Sequence, residues 1–203
     1  MLIAGLTGGI ASGKSFIAAE LARLGCHIVE ADALGHAVIQ PDGEAYAGVI
    51  AEFGPSILNP DSTIDRARLA ARVFGDPEAL ARLNALVHPA VRERSRREFA
   101  QLAPDAIGIY VAAILIETGG HRELDKVIVA ACPRELQIAR ALERPGATET
   151  DVMARISRQL PLQKKIECAD YVIDTGGAKQ ETLSQTIMVF EDLQKHAMRR
   201  LAQ

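Results

Sequence analysis

The chain has 203 residues, 48% of them apolar, and its 23 Lys and Arg against 26 Asp and Glu leave a net charge of −3. That length and apolar content suit one packed core with insertions and exclude a disordered chain. The near balance of charge, with no Trp, three Tyr and five Phe, excludes a global pull toward nucleic acid or an anionic membrane and an aromatic base-stacking platform.

The first element is a buried strand, because Leu2–Thr7 is a short apolar run that breaks into Gly8-Gly9. From Lys14 to Leu24, Ile17, Ala18, Leu21, Ala22 and Leu24 recur at helical spacing, and Gly25 stands where a helix takes a glycine after its last turn. His27–Val29 reads as a second strand, closing on Glu30-Ala31-Asp32. Residues 34–104 carry helical patterns and little strand signal. Asp76-Pro77-Glu78 starts one helix, with Asp as N-cap and Pro in the first turn. A further helix is expected to begin at His88-Pro89 and to turn a charged run, Arg92 to Glu98, toward water, with i,i+4 pairs such as Arg94 and Glu98.

Ile107–Ile116 returns to a buried-strand pattern that ends at Glu117, and Val127–Ala131 is the next strand. Arg134–Arg144 is helical, Thr148-Glu149-Thr150-Asp151 resembles a capping box for another helix, and Tyr171–Ile173 is a last short strand. Leu183, Ile187, Phe190, Leu193, Ala197 and Leu201 mark one face of a C-terminal helix. Apolar strands alternating with helices imply an α/β fold whose parallel sheet is flanked by helices on both faces. The expected division is a core of 1–33, 105–133 and 168–203, a helical insertion at 34–104 and a second one, a lid, at 134–167.

The segment Met1–Leu6 lacks the basic lead of a signal peptide, and Ile107–Ile116, the longest apolar run, has about half of the roughly 20 residues of a membrane helix. Cys26, Cys132 and Cys168 lie far apart and form no CxxC, so reduced thiols and a cytoplasmic protein are expected.

The strongest motif is Gly8-Gly9-Ile10-Ala11-Ser12-Gly13-Lys14-Ser15, a full G-x-x-x-x-G-K-[ST] between a strand and a helix. Glycines let such a loop curl until successive backbone N–H groups point inward, and the helix N-terminus adds the positive end of its dipole. Lys14 is placed to reach the β- and γ-phosphates, and Ser15 to help hold Mg²⁺. A guanine-reading Asn-Lys-x-Asp is absent, Asp105-Ala106-Ile107-Gly108 precedes a strand instead of following one, and no Asp-Glu pair follows an apolar strand. GTPases and motor ATPases therefore fall behind kinases.

Five segments in order resemble the dephospho-CoA kinase family, and they cover nearly the whole chain. They are Leu6–Ser15, Glu30-Ala31-Asp32, Leu83-Asn84 with His88-Pro89, Gln137 to Arg144 with its Gln-x-x-Arg-x-x-x-Arg spacing, and Gln159–Lys165 followed by Ala169–Asp174. The resemblance implies a P-loop NTPase core with a helical substrate domain and a lid. It implies transfer of the γ-phosphoryl of ATP, with Mg²⁺, to the ribose 3′-hydroxyl of dephospho-CoA. A monomer or weak oligomer is expected, although the sequence does not give oligomeric state. A nucleoside or nucleotide kinase of the same fold, and a nucleotide-binding module without turnover, stand as alternatives. Where the family's usual pattern has Thr, Pro, an acidic residue and Asn, this chain has Phe16, Ala113, Ala131 and Thr175.

Lys14, Asp32 and Arg140 are the candidate catalytic residues. Asp32, just past a strand end, is suited to accept or orient the hydroxyl proton, or else to cap the next helix. Arg140 and Arg144, four apart, are expected on one helix face, aimed at phosphates or simply at water. Gly9, Ala11, Ser12, Gly13, Lys14, Ser15 and Phe16 are the ATP-binding positions of the loop. Gly177, beside Gly176, is either room for an adenine ring or a plain turn. Glu117 is read as a holder of magnesium-bound water, a substrate contact or a partner for a lid Arg; His88 is read as a structural hydrogen bonder, and Arg155 and Arg158 as surface residues.

Overall fold

The computed structural model describes residues 1–201. Two compact units divide the chain, one of Met1–Val29 with the chain from Leu102 onward, the other of Glu30–Gln101.

The first unit is built on β1 (Leu2–Gly8), whose side chains are buried along almost its whole length, as a central strand of a parallel sheet requires. β2 (His27–Glu30), β3 (Ile107–Val111), β4 (Lys126–Ala131) and β5 (Tyr171–Asp174) complete a five-stranded sheet in the order β2-β3-β1-β4-β5. β1 runs parallel to β3 and β4, and β4 to β5. Gly8 lies beside Ala130 and Ala131 beside Asp174. The segments after β1, β4 and β5 therefore leave the sheet from one edge, which assembles the site described below.

One face of the sheet is covered by α1 (Lys14–Arg23) and α9 (Lys179–Leu201) through Ile17, Leu21, Phe190, Leu193 and Ala197. The other meets Leu115 and Leu124, which lie so close to Gly5 that a Cβ there would strike both. α1 closes as its sequence predicts: Gly25 N–H bonds Ala22 O at 3.0 Å and Cys26 N–H bonds Leu21 O at 2.9 Å. The buried seam of α9 differs from the expected stripe. Thr182 and Thr186 are buried on it, their hydroxyls donating to Asp174 O (3.0 Å) and Thr182 O (2.7 Å), while Leu201 is exposed. Backbone acceptors satisfy the hydroxyls, so the threonines take positions that hydrophobicity alone assigns to Leu183 and Ile187.

The expected strand Ile107–Ile116 stops at Val111. Beyond it the chain turns, with Thr118 N–H on Ile114 O (3.1 Å) and Gly119 N–H on Ile116 O (3.0 Å). Leu115 and Ile116 are buried by packing and not by a ladder; a short apolar run has the same appearance in either setting. Glu117 accordingly lies in a turn and not at a strand end. The remaining helices of this unit are α6 (Arg134–Leu142), α7 (Glu149–Ser157) and α8 (Leu162–Ile166). Thr148 Oγ1 caps α7 by accepting Asp151 N–H at 3.1 Å.

The second unit holds α2 (Ala31–Ala37), α3 (Tyr46–Phe53), α4 (Arg66–Val73) and α5 (Pro77–Phe99). Asp76 caps α5, its Oδ1 accepting Glu78 and Ala79 N–H at 3.0 and 2.9 Å. No new helix begins at His88-Pro89, because α5 runs through Pro89. Proline forfeits one hydrogen bond of the helix ladder, but Ala79, Val91, Ser95 and Phe99 are buried on both sides of it, and that burial holds the helix in one piece. Arg94 pairs with Glu44 (3.5 Å) and not with Glu98; Arg97 also pairs with Glu44 (2.5 Å) and makes the i,i+4 pair of this run with Glu93 (3.7 Å). No helix among the described residues is long and apolar enough to cross a membrane.

Candidate active site

The loop from Gly8 to Ser15 turns back at the start of α1, with Ser12 N–H on Gly9 O (3.3 Å) and both Phe16 and Ile17 N–H on Gly13 O. Gly13 has φ +83°, and Ala11, a non-glycine, φ +50°. Such backbone persists only where its surroundings hold it. Thr175 supplies part of that hold. Its buried hydroxyl lies 2.8 Å from Ser12 O and 2.9 Å from Ala131 O, donating its one proton to either. Gln137, buried in α6, donates to Cys132 O at 2.7 Å and presses its Oε1 against Gly9, where any Cβ would collide with it. A side chain at position 9 would thus have to displace the Gln137 amide.

Lys14 Nζ reaches back across the loop to Gly8 O (3.1 Å) and Gly9 O (2.7 Å). The ammonium thereby lies across the loop on two of its carbonyls. Ser15, exposed in the first turn of α1, offers a hard oxygen of the kind that magnesium combines with phosphate oxygens and water. Among the described residues no group of His, Cys, Asp and Glu can hold a metal by itself. The donor set fits an ion that arrives with its nucleotide.

Arg140 is half-buried on α6. It donates through Nη2 to Thr175 O (2.9 Å) and places Nη1 3.5 Å from Cys132 Sγ, so the segments after β4 and β5 both hold it. Burial raises the Cys132 thiol above its usual range, against an opposing pull from Arg140. Arg144 does not share its helix face. α6 ends at Leu142, and Arg144 is exposed beyond the cap, because the residue before Pro145 is disfavoured in helical geometry. Gly177 is exposed and the space beside it is taken by Glu181, whose Oε2 accepts Ala178 N–H at 3.2 Å. Its smallness serves the turn into α9.

Asp32 lies in the second unit, exposed in the first turn of α2. The N-cap position belongs to Glu30, which makes no side-chain cap bond. Asp32 is therefore not a cap, and its local effect is limited to a carboxylate near the positive end of a short helix. His88 is half-buried, and burial, then Arg92, holds its imidazole below the usual range. Arg155 and Arg158 are exposed.

Glu117 has a partner that the sequence reading missed. Its Oε1 meets Lys165 Nζ at 2.7 Å and accepts Leu160 N–H at 2.8 Å. The cation on that oxygen is Lys165 and not a lid arginine. Lys165, Gln159, Gln137, Arg134 and Gly9 line a cavity of about 330 Å³ beside the loop, with Ile156, Leu160 and Leu162 as its apolar wall. The sequence signal for Lys165 and Gln159 was membership of a family-like segment, with no chemistry attached.

Phe16 follows the loop and is half-buried on α1. Phe16→Thr is expected to leave turnover intact and to tighten ATP binding by about 2–10-fold, the worth of one added hydrogen bond. A titration of ATP with a thermal melt checks it. Unchanged affinity with a lowered melting temperature assigns Phe16 to packing alone.

The family model described as Dephospho-CoA kinase matches residues 2–181. A dephospho-CoA kinase of Thermobifida fusca is 40% identical over 195 residues, which are 96% of this chain and 98% of the relative. Among solved structures, TT1252 of Thermus thermophilus superposes with a TM-score of 0.81 at 32% identity, covering 93% of this chain and 95% of that one. A dephospho-CoA kinase of Campylobacter jejuni, 24% identical, shares the fold with a TM-score of 0.72 over 96% of this chain and 98% of its own.

Proposed function

Since this chain belongs to the dephospho-CoA kinase family, we propose that it transfers the γ-phosphoryl of ATP to the ribose 3′-hydroxyl of dephospho-CoA, the closing step of coenzyme A synthesis, in the cytoplasm. It is a phosphotransferase with ATP as co-substrate. The observation that carries the proposal is the phosphate loop, with Lys14 fixed across it and backbone amides opening α1.

In this reading the amides of Gly9, Ala11, Ser12, Gly13 and Ser15 cradle the phosphates, and Lys14 neutralises charge on the β- and γ-groups. Ser15 helps hold Mg²⁺, which when bound neutralises phosphate oxygens. Asp32 follows the carboxyl end of β2, on the side where open α/β sheets take their ligands. Its carboxylate orients the 3′-hydroxyl and takes its proton as the oxygen–phosphorus bond forms and ADP departs. The unit Glu30–Gln101 is assigned to the acceptor, and residues 134–167 to a lid that excludes water.

An ADP-release assay with ATP and a panel of acceptors tests this. ADP is expected with dephospho-CoA and not with adenosine or AMP. Release with a nucleoside or nucleotide in place of dephospho-CoA transfers the chain to another kinase activity, and no release with any acceptor makes it a binding module.

Arg140 is proposed as the cation that engages the spreading charge of the transition state. Arg140→Ala is expected to lower kcat by about 10²-fold, with a smaller rise in KM for ATP, and Arg144→Ala to cost less. Steady-state kinetics decide: a rise in KM alone places Arg140 in ground-state nucleotide binding.

A further inference from the structure

Between α7 and α8 lies a polar chain that phosphate chemistry leaves unused. Lys165 is 1% exposed, and its ammonium is held by Glu117 Oε1 at 2.7 Å and Ala113 O at 2.7 Å. The same Glu117 oxygen accepts the N–H of Leu160 at 2.8 Å. One residue earlier, Gln159 Oε1 accepts the N–H of Ile10 in the phosphate loop at 3.0 Å. The donor at Ile10 is a backbone amide, so the oxygen of the Gln159 side chain must face it. The Ile10 side chain also packs with Ala141 and Val152 of α6 and α7.

A buried ion pair contributes little net stability, but it holds its members in one place. Here it fixes the backbone of Leu160, and through the adjoining peptide it limits where Gln159 can reach. Ile10 stands next to Ala11, the non-glycine of the loop with positive φ. Donors that stabilise developing charge act only if they are already in position, and a strained loop needs an external hold to stay there.

We propose that Gln159 is a positioning residue for phosphoryl transfer, holding the first half of the phosphate loop through Ile10 N–H, and that the buried Lys165–Glu117 pair aims it. This rests on the kinase reading above, so activity of the unaltered chain with dephospho-CoA is measured first. Inactivity there counts against that reading and leaves the Gln159 measurement to amide spectra with ADP.

The test uses Gln159→Met, which removes the acceptor at similar length and takes away no buried charge. It is paired with Glu117→Gln/Lys165→Met, which neutralises both partners together, and with the triple variant. Gln159→Met is expected to lower kcat by about 10–100-fold, as small misplacements at a reacting centre do, with KM for dephospho-CoA changed less than about twofold. The Ile10 amide resonance moves, with and without ADP. The pair variant moves the same resonance in the same direction, and the triple variant is no slower than Gln159→Met, because residues acting in series do not add. A Gln159→Met protein with unchanged kcat and an unmoved Ile10 amide overturns the proposal. Multiplied losses in the triple variant overturn the aiming role of the pair. Should the pair variant fail to fold, Gln159→Met alone decides the first claim, and Glu117→Gln in its place decides the second by whether the Ile10 resonance moves.

Discussion

Lys14→Ala is expected to reduce kcat by about 10²–10³-fold or more, the worth of one preorganised donor at a site of developing charge. The ammonium lies across the loop on Gly8 O and Gly9 O. Fold and melting temperature are expected to survive, because both carbonyls belong to a loop that Thr175 and Gln159 hold by hydrogen bonds and Gln137 by contact at Gly9. Steady-state rates together with a thermal melt check this. Near-normal turnover in a folded variant removes the loop from the chemistry.

The second large effect is expected at Asp32. Asp32→Asn keeps the shape and removes the charge and the proton acceptor. The expected loss in kcat is about 10²–10⁴-fold, the range for a positioned general base. The lower end is the better match, since a loose phosphoryl-transfer state asks little activation of its nucleophile. Dephospho-CoA affinity changes little, because so large a ligand draws its binding from many contacts. The structure sharpens the comparison. Asp32 is not an N-cap, so its only local contribution is a negative charge near a helix N-terminus, about 0.3–1 kcal/mol. The melting temperature is therefore expected to fall by no more than a few degrees. Full activity with a slightly lowered melting temperature confines Asp32 to that electrostatic role.

These two predictions draw on different sources. The phosphate loop is contiguous, and its chemistry is written in eight adjacent residues. Local caps were equally legible: Asp76, Thr148 and the turn after Leu24 act within a few residues of themselves. Pattern failed where burial competed with it. Pro89 reads as a boundary, yet the buried residues on both sides of it outweigh one lost hydrogen bond. Ile107–Ile116 reads as one strand, yet only its first half meets a ladder.

By itself the sequence determined the alternation of strands and helices, the phosphate loop and its lysine, and five ordered segments that point to a family. Each depends on neighbours along the chain or on a fixed local spacing. What only the tertiary structure decided is which distant side chains hold that loop. Thr175 meets Ser12 across 163 positions, Gln159 meets Ile10 across 149, and Lys165 meets Ala113 across 52. The parallel sheet brings the ends of β1, β4 and β5 to one edge, and no local periodicity encodes which polar groups will then face each other. A buried lysine and an exposed one are the same letter; the difference is made by a carboxylate that the fold delivers to it.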